Sequence, residues 1–363
     1  MVNRIMGDSG IPSEMPAKDV EKGVRQEGLF EGKTVTVEED AVSMIADAAE
    51  ELTFEAAETV EKKVEERRVE KERPSELIQR IYKLQEMLPD FDEGKFRMVI
   101  KRMHQKPPGS ASELRSLLQE HFPDVSHEHA ALSLIEEFSQ DNPKLMALAK
   151  EARVELETMA GSAIRAGMNI SSVASEYAAE GLGEISDLRN FYRDTVLQYE
   201  GVTETFRSIT ERFPNESLLD AVAYLIKAVG NDLHARGPSI EPEELRTILN
   251  DLYHLESIAN LNRSLDQLLK RTTQGFAIMP SLDSVRLLGE FLTLKDKQWI
   301  AESDVLAVAN KIGIKDPSAR IYFLQGFVNI VREAPLKIFS SDEGRLALIA
   351  KIQEALDRAI EEE

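Results

Sequence analysis

Residues 241–270 read EPEELRTILN DLYHLESIAN LNRSLDQLLK, and their spacing decides the fold class. Leu245, Ile248, Leu252, Leu255, Ile258, Leu261, Leu265 and Leu268 return every three or four positions, as one face of an α-helix does, and no Gly or Pro interrupts them. Glu241-Pro242 follows the Gly237-Pro238 break and suits a helix start, because proline in the first turn forfeits only an N–H that has no partner there. A helix of about 30 residues spans about 45 Å. That exceeds one small bundle and suggests a spine joining two modules.

The same period continues on both sides. Downstream, helices are expected near Leu282–Leu294, Ser303–Ile312 and Pro317–Val331, with a terminal one through Leu346, Ile349, Ile352, Leu356 and Ile360. Upstream, Leu188, Phe191, Tyr192, Thr195 and Tyr199 share a face; Val202, Phe206, Ile209 and Phe213 follow Gly201; and Leu219, Val222, Ile226, Val229 and Leu233 follow Pro214. Before these, Gly161, Gly167, Gly181 and Gly183 punctuate the chain where a second module is expected to begin.

A first module is marked by five helices. Leu77, Ile81, Leu84 and Leu88 trace one face up to Pro89; Phe96, Val99 or Ile100, and Met103 make a second before Pro107-Pro108-Gly109. Ser110 with Glu113 reads as a capping box opening a helix through Leu114, Leu117 and Leu118. A fourth helix runs from about Ser126 through Leu134, Ile135 and Phe138, and Asn142-Pro143 opens a fifth. The expected organisation is therefore all-α: a leader over 1–73, then helical modules over 74–160, 161–271 and 272–363.

Composition supports helices and limits partners. The 363 residues include only 14 Pro and 19 Gly, and few stretches alternate as strands do. The formal net charge of −21 repels phosphate backbones and anionic lipid surfaces, so neither nucleic acid nor membrane insertion is expected. There is no Cys, which excludes disulfides, thiolate metal sites and cysteine nucleophiles. Residues 1–10 lack the apolar core of a secretory signal peptide.

The leader is different in kind. Residues 1–32 mix Gly, Pro, Ser and charges without period and are expected to bury too little apolar surface to become ordered. Thr34-Val35-Thr36-Val37 is a β-prone run with no neighbouring strand, which invites the sheet edge of another protein. Val42, Ile45, Ala49, Leu52, Ala56, Val60 and Val64 then form a thin helical stripe on an acidic background, expected to order on a partner or to remain a solvated tether.

No catalytic pattern emerges. His127-Glu128-His129 is the most ligand-like cluster, yet helical residues two apart diverge by some 200° and cannot share one metal; surface or first-turn histidines are the expectation. Gly181-Leu182-Gly183 lacks the preceding strand and third glycine of a dinucleotide loop. No cofactor and no enzymatic activity are expected. The single Trp299 is expected to anchor a domain core.

Two segments carry a resemblance: LRNFYRDTVLQYEG, Leu188 to Gly201, with the following helix to Phe213, and REAPLKIFSSDEGRLALIAKIQEALDRAI, Arg332 to Ile360. The chain resembles the family of type III secretion gatekeepers, the second segment resembling their TyeA-like end. The resemblance implies three consecutive four-helix X-bundles behind a flexible N-terminal region that holds an export signal and a chaperone-binding stretch. It implies a protein at the cytosolic base of the secretion apparatus that promotes translocator export, delays effectors and is later secreted or found at the cell surface. Implied partners are a heterodimeric secretion chaperone, the export gate and sorting components, and translocator–chaperone complexes. By position and character the chaperone contacts are assigned to Val35, Val37, Val42, Ile45, Leu52 and Phe54. The rival reading is a helical adaptor or repeat scaffold outside secretion, although no fixed 34- or 40-residue repeat is present.

Overall fold

The computed structural model describes residues 76–363 except 197, 199, 200, 238 and 239. The leader 1–73, with its β-prone run, its stripe and the assigned chaperone contacts, lies outside the described residues, as do Tyr199 and Pro238. Every regular element among the described residues is helical, as the periodicities predict.

The first five helices are α1 (76–87), α2 (Glu93–Gln105), α3 (Ala111–His121), α4 (Val125–Phe138) and α5 (Pro143–Ala179). Short polar side chains start them, satisfying amide donors that have no intrahelical acceptor: Asp92, Ser110, Asp124 and Asn142 each accept from a backbone N–H inside the first turn. The expected capping box is present in modified form, since Ser110 accepts from the Glu113 amide while the Glu113 carboxylate accepts from Gly109 N–H at 2.8 Å. Ile81, Leu88, Phe96, Val99, Leu114, Leu118, Leu134 and Ile135 close an apolar core that ends at Ile164. Within it the Phe91 and Phe122 rings stack at 5.2 Å.

Gly161 follows a break, as its punctuation suggests, whereas Gly167 does not. Two helical stretches of α5 meet at Ala160, immediately before Gly161, where the backbone is non-helical with φ −135° and ψ 21°, and the second stretch runs on through Gly167. Gly167 serves a close approach instead: a Cβ there would lie 1.9 Å from Arg193 Nη2 and 2.4 Å from Ser126 Oγ.

The chain continues through α6 (Ile185–Val196), α7 (Val202–Arg212), α8 (Leu218–Arg236) and α9 (Pro242–Gly275), then α10 (Ser284–Lys295), α11 (Glu302–Ile312), α12 (Pro317–Glu333) and α13 (Asp342–Glu362). The spine anticipated over 241–270 is the 34-residue α9. It packs on α7 and α8 on one side and on α10 and α12 on the other. One apolar core consequently runs from Ala166 to Ala359 without division, with Leu255, Ile258, Leu265 and Leu269 of the spine inside it. At Gly326 on α12 any side chain would meet Leu268 of α9, its Cβ falling 2.3 Å from Leu268 Cδ1, so glycine permits this helix pair its close approach.

Candidate functional site

Helix α6 carries the first resemblance segment, and its sequence explains how polar groups enter the interior. Leu188, Phe191, Tyr192 and Val196 are buried as the period requires, but Arg189 and Arg193, one turn apart beside that stripe, are buried with them. A guanidinium removed from water costs several kcal/mol unless fully paired. Arg189 has 0% exposure and is paired on every edge. Its Nη1 and Nη2 donate to Asp90 Oδ1 and Oδ2 at 2.7 and 2.8 Å, and its Nε donates to Asp124 Oδ2 at 2.9 Å. This fork geometry is the strong form of a charge-assisted bond.

Arg193 completes the cluster. It donates to Asp124 Oδ1 at 3.2 Å, Ser126 Oγ at 2.6 Å, Asn190 Oδ1 at 2.8 Å and the Ala163 carbonyl at 3.0 Å. Burial by itself pushes the Asp90 carboxyl up, and hydrogen bonds from His127 and Arg189 outweigh it, holding that group far below the usual carboxylate range. Burial likewise opposes ionisation of Asp124, and the charges of Arg193 and Arg189 overcome it. Both carboxylates stay ionised and engaged, which suits clamping and not proton transfer.

Of the two expectations, surface or first-turn histidines, His127 meets the second and not the first. It stands in the first turn of α4 but is buried, edge-on to Phe91 and Phe122, with Nε2 3.1 Å from Asp90 and 2.9 Å from Arg189 Nη2. The packing of Phe91 and Phe122 over this end of α4 closes it off from solvent. Glu128 pairs with Arg115 at 2.9 Å and His129 with Glu157 at 2.8 Å, so the three residues address three different neighbours. Among the described residues no group of three His, Cys, Asp or Glu is placed to hold a metal ion, and no helix is long and apolar enough to cross a membrane.

A second buried network lies inside the larger core. Asp232 of α8 accepts from Tyr192 Oη at 2.9 Å, Asn169 Nδ2 at 2.8 Å and Arg236 Nε at 2.9 Å. Burial and the Asp232 charge raise the Tyr192 phenol well above its ordinary range, so it remains a donor at any ordinary pH. Tyr224 Oη donates to the Leu188 carbonyl at 2.7 Å, tying α8 to the start of α6.

Trp299 overturns its expected role as a core anchor. It sits in the loop between α10 and α11 with 85% exposure, because the buried aromatic positions of that region are taken by Phe291, Phe323, Phe327 and Phe339. Its fluorescence is therefore expected to be water-like in the folded protein, strongly quenched by a soluble quencher and little shifted by unfolding. A blue-shifted, protected emission from the folded chain would contradict this placement.

Comparison with known proteins bears on both resemblance segments. The chain matches the HrpJ-like domain over residues 52–213 and TyeA over residues 285–363, which contain the first and second segments respectively. It is 24% identical over 267 residues to the outer membrane protein YopN of Yersinia pseudotuberculosis, covering 72% of this chain and 91% of that protein. Among solved structures, Shigella flexneri MxiC superposes with a TM-score of 0.60 at 19% identity, covering 77% of this chain and 98% of that one. Chlamydia pneumoniae CopN gives 0.53 at 18% identity, covering 77% and 99%. A chain of the CopN-Scc3 complex gives 0.52 at 18% identity, covering 76% and 98%. At these identities the structures speak for the all-helical fold alone.

Proposed function

Because the chain belongs to the type III secretion gatekeeper family, we propose that it sets the order of export by docking on other proteins, promoting translocators and holding back effectors. The observation that carries this reading is the succession of an HrpJ-like match and a TyeA match on one polypeptide. The mechanism is competitive occupancy: folded modules cover a docking surface on the export gate or its sorting components until a signal removes them. No bond is made or broken, no cofactor is used, and the protein works in the bacterial cytoplasm at the base of the apparatus before being exported to the surface or beyond. The telling experiment is the secretion profile of a deletion strain. Early effector release with reduced translocator export is expected; an unchanged order of export would refute the reading.

The chaperone contacts remain those of the leader: strand addition by the run containing Val35 and Val37, and burial of Val42, Ile45, Leu52 and Phe54 in a chaperone groove. A relative solved as the CopN-Scc3 complex supports a dedicated protein partner. Ordering such a segment costs about 2 to 5 kcal/mol of the gross binding energy, which keeps capture reversible. Ile45→Asp with Leu52→Asp is expected to abolish co-purification with the chaperone pair, since two charges would enter the groove unpaired. Undiminished co-purification would show that the stripe is only a tether.

A further inference from the structure

The two apolar cores meet at a polar seam. One closes at Ile164, the other opens at Ala166, and between them stand Asp90, Asp124, Ser126 and His127 from the first body and Ser171, Arg189 and Arg193 from the second. The partners that meet here are 65 and 99 residues apart in the chain, so the bonds of Arg189 to Asp124 and Asp90 are ties between bodies and not local helix contacts. Helix α5 is the covalent bridge across the seam, and its one interruption, Ala160, lies within the first body, before Ile164.

The chemistry of such a joint differs from that of an apolar one. Parting two greasy faces exposes surface to water at a cost that rises with area. Parting buried ions returns their hydration, so the closed joint is held only by the difference between large attractions and large desolvation terms. That difference favours closure while every partner is present and collapses when one is lost. We propose that the Asp90–Asp124–His127–Arg189–Arg193 cluster is a reversible clasp, from which the first body parts while both cores stay packed. The clasp belongs to the folded chain itself and stands whether or not the secretion role is upheld.

The chain has no Cys, so two introduced cysteines carry spin labels without background. Lys83→Cys on α1 and Arg207→Cys on α7, both exposed, place a label on each body. The full chain is expected to show one dominant separation. Arg189→Met, which keeps bulk and removes the charge, is expected to add a longer separation and raise the open-to-closed ratio by about a hundredfold, with amide-exchange protection retained in both cores. Asp90→Asn, which keeps the side-chain volume, is read in parallel and is expected to shift the ratio the same way by less. Arg358→Met at an exposed ion pair is expected to change nothing. An unchanged single separation in the folded Arg189 and Asp90 variants would overturn the proposal, because the joint would then be rigid. Loss of exchange protection in the first core of Asp90→Asn would overturn it equally, since the cluster would then be holding that core together.

Discussion

Phe291→Ala is expected to lower the midpoint of thermal unfolding by about 6 to 20 °C. Phe291 is fully buried on α10, with the rings of Phe327 and Phe339 meeting it edge-on at 6.1 and 6.3 Å. Removing such a ring forfeits its transfer energy and leaves a cavity, together about 3 to 5 kcal/mol. For a cooperative unit of this size each kcal/mol is worth about 2 to 4 °C. Calorimetry checks the magnitude, and it checks connectivity too. Because the core from Ala166 to Ala359 is undivided, the transition that moves should be one that carries α6 to α13 together. A shift confined to a small C-terminal transition would show that α9 does not couple its two sides.

The second large effect is expected at Asp232→Ala, a loss of about 3 kcal/mol. The carboxylate has no exposure and accepts from Tyr192, Asn169 and Arg236, three donors supplied by α5, α6 and α8. Alanine would strip all three of their acceptor at once. Asp232→Asn keeps one oxygen for acceptance and should cost distinctly less. Urea titration separates the two variants by their midpoints with unchanged slope; equal midpoints for alanine and asparagine would mean that the negative charge, and not shape or the one retained oxygen, is what Asp232 supplies.

Periodicity made the helices legible. The spine, Ser303–Ile312 and Pro317–Val331 appear within a few residues of their expected limits, because a sustained apolar repeat with few interruptions leaves the chain no competing structure. Punctuation was less trustworthy. Gly161 does follow the kink at Ala160, but α5 passes straight through Gly167, which is small for the sake of a guanidinium arriving from α6. The ion cluster was hidden for a plainer reason. Arg189 and Arg193 are visible as an i, i+4 pair beside an apolar stripe, but the carboxylates that justify burying them come from α4 and from the turn after α1. Spacing within one helix carries no record of such distant partners. Trp299 failed as an anchor because a lone aromatic in a loop has no periodicity from which its direction can be read.

The division of the interior at Ile164 and Ala166 also determines how the polypeptide answers to traction. A motor reeling it in from the amino-terminal side would first strip α1 to α4 from a small package, while the larger one behind the seam felt no strain. Only afterwards would the load reach α6 to α13, where a shared spine makes the remaining helices give way together.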